Sequence, residues 1–175
     1  MTSFLRLMLP ACLLLMLVAC SPKYDWREVH ASHAPYVAAF PAKPSNQTRD
    51  TKLAGKSVAM TMTSTQVDGV TFAVASAAMA DASEAQAALP LWKAALLANL
   101  KGKIKLESSP RVSQGQALQI EVAASQGAPG KEQPLVVHAR FIAVKQHLYQ
   151  LVVMGPPQRV TRDGIDTFFT SFKTE

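Results

Sequence analysis

Residues 58 to 74 admit few local solutions. Val58, Met60 and Met62 alternate with Ala59, Thr61 and Thr63, and after Asp68-Gly69 strand composition resumes in Val70-Thr71-Phe72-Ala73-Val74. A period of two places successive side chains on opposite faces of a sheet, and Asp-Gly tolerates the positive φ angles of a two-residue type I′ turn. The expectation is an antiparallel hairpin.

The rest of the pattern surrounds that hairpin with further strands and two helices. Tyr36-Val37-Ala38-Ala39-Phe40 has strand composition between Pro35 and Pro41, which suits the rim of a sheet, and Ser45 to Arg49 reads as a turn. Asp81 to Gly102 reads as helical. Ser83 with Gln86 fits a capping box, but Pro90 removes a backbone donor, so the main helix is expected to start with Pro90 in its first turn. Leu89, Trp92, Leu96 and Leu100 then share one face.

Later strands are expected from Ile104 toward Arg111, over Ala117 to Ala124, Leu135 to Val144 and Leu148 to Met154, with connections short enough for antiparallel pairing. Ile165, Phe168, Phe169 and Phe172 form the apolar stripe of a closing helix, capped by Thr161 or Asp163. That stripe has to be buried against the sheet. The fold class is therefore α+β, an antiparallel sheet flanked by helices.

The chain has 175 residues, 49% hydrophobic and 17% charged, with 8 Gly, 11 Pro and 2 Cys. Those proportions exclude disorder, collagen and a disulfide-stapled miniprotein. A chain of this length buries enough surface to fold without a metal or cofactor, and none is expected.

The amino terminus carries an address. Met1 to Arg6 supply positive charge, and Leu7 to Ala19 form an uncharged apolar run too short to remain as a membrane span. Leu17-Val18-Ala19-Cys20 resembles the bacterial lipobox. The resemblance implies cleavage between Ala19 and Cys20, then lipidation of the Cys20 thiol and acylation of its new amine. Two or three chains on one residue would hold a protein firmly on a membrane. Ser21 after the cysteine, by resemblance to enterobacterial sorting, points to the outer membrane, facing the periplasm.

With residues 1–19 removed, Cys12 is gone and Cys20 is consumed, so no thiol is left for redox chemistry. Removing Arg6 leaves 17 Lys+Arg against 12 Asp+Glu, which takes the formal charge from +6 to +5. That balance is too small and dispersed to suggest nucleic acid. The expected division is a signal peptide over 1–19, the lipidated Cys20 with a tether and first edge strand over 20–47, and an α+β domain over 48–175.

The strand Tyr149-Gln150-Leu151-Val152-Val153-Met154-Gly155, running on to Phe168-Phe169-Thr170-Ser171-Phe172, is similar to the PsbP-like family over roughly residues 35 to 173. That resemblance implies an α/β/α sandwich and a role in binding to larger assemblies without a shared active site. No family binding residue maps onto this chain.

No motif for chemistry is complete. Ala54-Gly55-Lys56-Ser57 ends like a phosphate-binding loop, but Asp50 stands where the first Gly belongs. His30 and His33 could share a metal only with further ligands, and His138 and His147 read as surface or satisfied residues. Asp163 and Asp166 complement a helix amino end more simply than they serve catalysis. Lys103 and Lys105, following Lys101, would share one face of an extended segment and could present charge to lipid phosphate or an acidic partner, although a solvated face is the commoner use of such residues. Met60, Met62 and Met79 could line an adaptable apolar groove, although core filling is their commoner use.

The expectation is a lipid-anchored envelope protein, not an enzyme, with an accessory role toward an envelope protein partner. The alternative is a carrier of a lipid or apolar small molecule between sheet and helices, and a hydrolase ranks third. The sequence leaves the oligomeric state open.

Overall fold

The computed structural model describes residues 23–53, 55–112 and 115–175; the leader, Ala19, Cys20 and Ser21 lie outside the described residues. In chain order the elements are β1 (Arg27–His30), β2 (Tyr36–Phe40), β3 (Ser45–Leu53), β4 (Lys56–Val67), β5 (Val70–Ala78), α1 (Ala82–Leu100), β6 (Lys103–Ser108), β7 (Gln116–Gln126), β8 (Gln133–Val144), β9 (His147–Gly155), α2 (Arg162–Ser171) and β10 (Lys173–Thr174). Seven strands form one antiparallel sheet in the order β3-β4-β5-β9-β8-β7-β6, and β1-β2-β10 form a second, smaller one.

Both faces of the large sheet are covered, which is why its middle strands are apolar on both sides. On one face, Ala85, Ala88, Leu89 and Trp92 of α1 pack on Ile120, Val122, Val137 and Phe141. On the other, β2 and α2 bring Tyr36, Phe40, Phe168 and Phe169 onto Phe72, Tyr149, Leu151 and Val153. The α+β class follows directly from these two cores.

The predicted hairpin is present as β4–β5, with Asp68 at φ 51° and Gly69 at φ 75° in a two-residue turn. The closing helix also forms, with Ile165, Phe168 and Phe169 on it, but Phe172 of the expected stripe is its extended C-cap residue and lies outside the helix. The Thr161 hydroxyl caps α2 by accepting from the Gly164 amide at 3.2 Å, and Phe168 packs edge-on against Phe40 and Phe72 at 5.4 and 5.5 Å.

Four expectations need correction. Ser45 to Arg49 is not a turn but the first half of β3, so the division expected after Gln47 falls inside a strand paired with β4 from Ser45↔Ser64 onward. β2 is not at a rim; it lies between β1 and β10, its flanking prolines standing just outside the paired residues. The segment before it is packed rather than a free tether, because Tyr24 and Trp26 set their rings edge-on against Phe72 at 5.6 and 5.8 Å.

The fourth concerns α1, which begins at Ala82 and carries Pro90 in its interior. Asp81, not Ser83, is its cap, accepting from the Glu84 amide at 2.8 Å while the Glu84 carboxylate accepts from the Ala80 amide at 2.9 Å. Pro90 inside a helix costs about 3 kcal/mol. Full burial of Ala85, Ala88, Leu89 and Trp92 on both sides of it outweighs that cost, since one large apolar side chain contributes about 1.5–3 kcal/mol.

Candidate functional site

The face of the large sheet beneath α1 is uneven. The registers place Met60↔Ala77, Met62↔Ala75 and Ser64↔Ala73 between β4 and β5, then Ala77↔Leu148, Ala75↔Gln150 and Ala73↔Val152 between β5 and β9. On this face β5 therefore carries only small side chains between two strands of larger ones. The result is a trough along β5.

Helix α1 packs chiefly over β8 and β7 and reaches β3 only at its margin, so it leaves the trough partly open. A cavity of about 320 Å³ remains there, floored by Ala73, Ala75 and Val152 and walled by Met60, Met62 and Met154 on the sheet side. Trp92, Leu96 and Asn99 of α1 form the opposite wall. Its size and apolar lining fit the lower end of small-molecule sites, roughly 300–1,000 Å³.

Polar residues interrupt this lining, and Gln150 and Arg49 are the ones placed to meet a ligand. Gln150 is only 7% exposed and faces the cavity, and its side-chain amide makes no hydrogen bond among the described residues. Among the described residues the buried side-chain polar atom without a partner is the Tyr24 hydroxyl, so the Gln150 amide is still reached from the cavity; a ligand filling the cavity would cut it off from water and would have to supply a partner, or leave a cost of about 1–3 kcal/mol. Arg49, paired with Met60 in the register, stands exposed at the mouth, whereas Lys52, paired with Ser57, borders the cavity from a position whose side chain alternates to the other face of β3. Neither cation forms an ion pair among the described residues, and no carboxylate side chain lines the cavity.

The sequence-derived candidates distribute differently. Met60 and Met62 line the groove, whereas Met79 is in the core. Gly55 takes φ 80° and Lys56 opens β4, its ammonium pairing with Glu84 on the first turn of α1; that bond raises the Lys56 pKa and lowers that of Glu84. His30 lies 3.3 Å from a Glu28 oxygen and 3.2 Å from one of Glu175, while His33 sets its ring edge-on against Tyr36 at 6.0 Å. Among the described residues no three His, Cys, Asp or Glu side chains are grouped to hold a metal.

A second, more polar pocket between β6–β8 and α2 brings Ser108, Glu121, His138 and Asp166 to one place. His138 Nδ1 stands 3.9 Å from a Glu121 oxygen, beyond hydrogen-bond range. Ser108 pairs in the register with Gln119 on β7, not with β8, so it stands two strands from His138 and is not hydrogen-bonded to it. Burial lowers the His138 pKa, with Glu121 opposing. His147 stacks on Tyr149 at 6.1 Å, its pKa lowered first by burial and then by Lys145. Asp163 lies in the first turn of α2, and Asp166 approaches Arg162 at 3.9 Å.

The lysine series loses its regularity. A bulge between Ile104 and Leu106 shifts the register at Lys105, so the alternation that would align it with Lys103 is broken. Among the described residues no helix is long and apolar enough to cross a membrane.

No protein-family model matches the chain, and no curated protein matches it significantly. Solved structures do match. A Bacteroides thetaiotaomicron protein aligns at 9% identity and TM-score 0.44 over 85% of this chain, which spans about half (48%) of that protein's length. PA94, a Pseudomonas aeruginosa protein of unknown function, aligns at 12% identity and TM-score 0.37, covering 76% of this chain and 84% of its own. LpqN, involved in cell envelope biogenesis of Mycobacterium tuberculosis, aligns at 15% identity and TM-score 0.41, covering 86% and 79%.

Of the three methionines the sequence offers for a groove, Met60 and Met62 line it and Met79 does not; Trp92 and Leu96, readable only as the apolar face of α1, line it too, and Arg49 and Gln150 were missed. Gln150 carried a signal, as the one polar position in the run Leu148 to Met154 apart from the Tyr149 hydroxyl. Arg49 carried none, because its segment reads as a turn.

Proposed function

We propose that this chain is a lipid-anchored protein of the bacterial cell envelope that binds an apolar chain without catalysis in the groove beside α1. The observation that carries this reading is the trough of Ala73 and Ala75 walled by methionines and Trp92. Methionine walls suit a carrier because unbranched thioethers adapt to ligands of varied shape. The anchor rests on the resemblance of Leu17-Val18-Ala19-Cys20 to a lipobox, with acylated Cys20 in the membrane and Ser21 favouring the outer one.

A macromolecular partner is the second reading. It is supported by Ile104 and Leu106, 40% and 59% exposed on the edge strand β6. In-cell crosslinking from β6 would recover such a partner.

The leading reading is tested by isolating the protein from bacterial membranes and extracting it with organic solvent for mass spectrometry. An acyl lipid recovered in stoichiometric amount from wild type supports a carrier; ligand-free protein that also fails to take up added lipid overturns it. The anchor is tested separately by metabolic labelling with a clickable fatty acid, with label expected in wild type and absent from Cys20→Ala.

A further inference from the structure

We infer that the groove selects a single-chain amphiphile bearing an acyl ester and an anionic phosphate head, with the phosphate at Arg49 and the ester carbonyl at Gln150. The inference rests on the groove being a ligand site and names the ligand's chemistry.

Three features converge on it. The trough in β5 gives a linear path for one hydrocarbon chain, bounded by Met62 and Trp92, and is too narrow a feature to specify anything by itself. Gln150 supplies the second feature. A purely apolar chain would leave its amide buried and unpaired, whereas an ester carbonyl accepts from its NH₂ group. The third is charge: Arg49 stands at the mouth on the same face as Met60, with no carboxylate in the lining to neutralise it. A planar guanidinium suits phosphate in particular, because its fork of donors matches two phosphate oxygens.

The spacing is compatible with one molecule touching both residues. Arg49 and Gln150 lie three strands apart and two residues apart along the strands. At about 4.8 Å between strands and about 3.3 Å per residue, their Cα atoms are roughly 16 Å apart on a flat sheet. An arginine extended over Met60 toward the trough and a glutamine leaning inward would narrow that gap to the span between a glycerol phosphate and its neighbouring acyl ester.

Trp92 makes the test direct. It lines the groove, while Trp26 packs on the opposite face of the sheet and gives a constant background. The full chain carrying Cys20→Ala, which retains every described residue, is titrated below the critical micelle concentration with three probes, and emission is followed. The probes are 1-lauroyl-glycerol 3-phosphate, 1-lauroyl-glycerol and dodecyl phosphate. The first carries ester and phosphate, the second only the ester, and the third only the phosphate.

The expected result is that 1-lauroyl-glycerol 3-phosphate binds at least tenfold more tightly than either other probe. Arg49→Gln, at an exposed position that does not threaten folding, should remove the advantage over 1-lauroyl-glycerol. Gln150→Leu should remove the advantage over dodecyl phosphate. Equal affinity for all three probes would overturn the head-group inference and leave the carrier reading standing. Absence of saturable binding by any probe overturns both.

Discussion

Arg140 holds Phe169 twice: its guanidinium carbon lies 4.7 Å from the ring centroid, and its Nη1 donates to the carbonyl oxygen of the same residue at 3.2 Å. Phe169 lies in the last turn of α2, where carbonyls lack helical partners, so Arg140 on β8 satisfies a helix end and clamps it to the sheet. Its Nε donates to Gln119 on β7 at 2.9 Å, which fixes the fork. Arg140→Lys keeps a cation but cannot make both bonds and the stack. The expected loss is about 1–3 kcal/mol, read as a lower urea midpoint with unchanged slope. An unchanged midpoint would show that the clamp contributes nothing to α2.

Beside their apolar packing, the small sheet and the large one are joined by a buried hydroxyl pair. Tyr36 Oη donates to Thr63 Oγ1 at 2.9 Å, and both residues are buried. Tyr36→Phe leaves the threonine hydroxyl buried without that donor and should cost about 1–2 kcal/mol. The double variant Tyr36→Phe with Thr63→Val should cost less than the sum of the two single changes, because it removes both polar ends together. Additive losses in denaturant unfolding would show the two groups to be uncoupled.

The legible parts of this fold are those where local chemistry and tertiary packing agree. Asp68-Gly69 requires a tight turn on local grounds, and Val58 to Val74 alternates on both sides of it, so the hairpin is readable from one stretch of chain. The α2 stripe is readable because three phenylalanines at helical spacing have no solvated alternative. β3 is different: Ser45-Asn46-Gln47-Thr48-Arg49-Asp50 is polar throughout because it is an exposed edge strand, so although it pairs with the very next strand it lacks the apolar alternation that marks one. The groove is illegible for another reason. It exists only where three alanines of β5 fall opposite larger side chains of β4 and β9, a fact of register and not of composition.

Pro90 shows burial overriding a local breaker, and the same argument predicts what its removal does. The position is helical on both sides, so Pro90→Ala restores a backbone donor to α1 and removes the ring's clash with the preceding turn. A gain of about 1–3 kcal/mol is expected. Calorimetry should show a raised Tm; a fall would mean that the proline ring itself fills space the helix needs.

Acid should weaken this fold before any carboxylate titrates. Burial lowers the pKa of His138 below 6.5, with Glu121 only partly opposing, and burial likewise lowers His33 and His147. The unfolded chain then binds protons that the folded chain refuses. Stability is full above about pH 6.5 and falls as pH drops from there through the folded-state pKa. His138→Gln cannot take up that proton and should flatten the slope between pH 6.5 and 5 in urea unfolding. A slope identical to wild type would remove His138 as a source.

The trough makes an unusual demand on a core substitution. Enlarging a buried alanine in a packed interior costs about 1–3 kcal/mol through forced rotamers and backbone shifts. Ala75 is 7% exposed, yet its side chain borders the cavity of about 320 Å³ between Met62 and Gln150. Ala75→Met should therefore place its thioether in open space, leave stability within about 1 kcal/mol of wild type or raise it, as cavity filling commonly does. The same thioether lies across the path of a bound chain, so uptake of lauroyl probes should fall at least tenfold while the unfolding midpoint holds. Loss of stability together with binding would mean the floor is tightly packed at Ala75; retained binding would place the chain elsewhere than along β5.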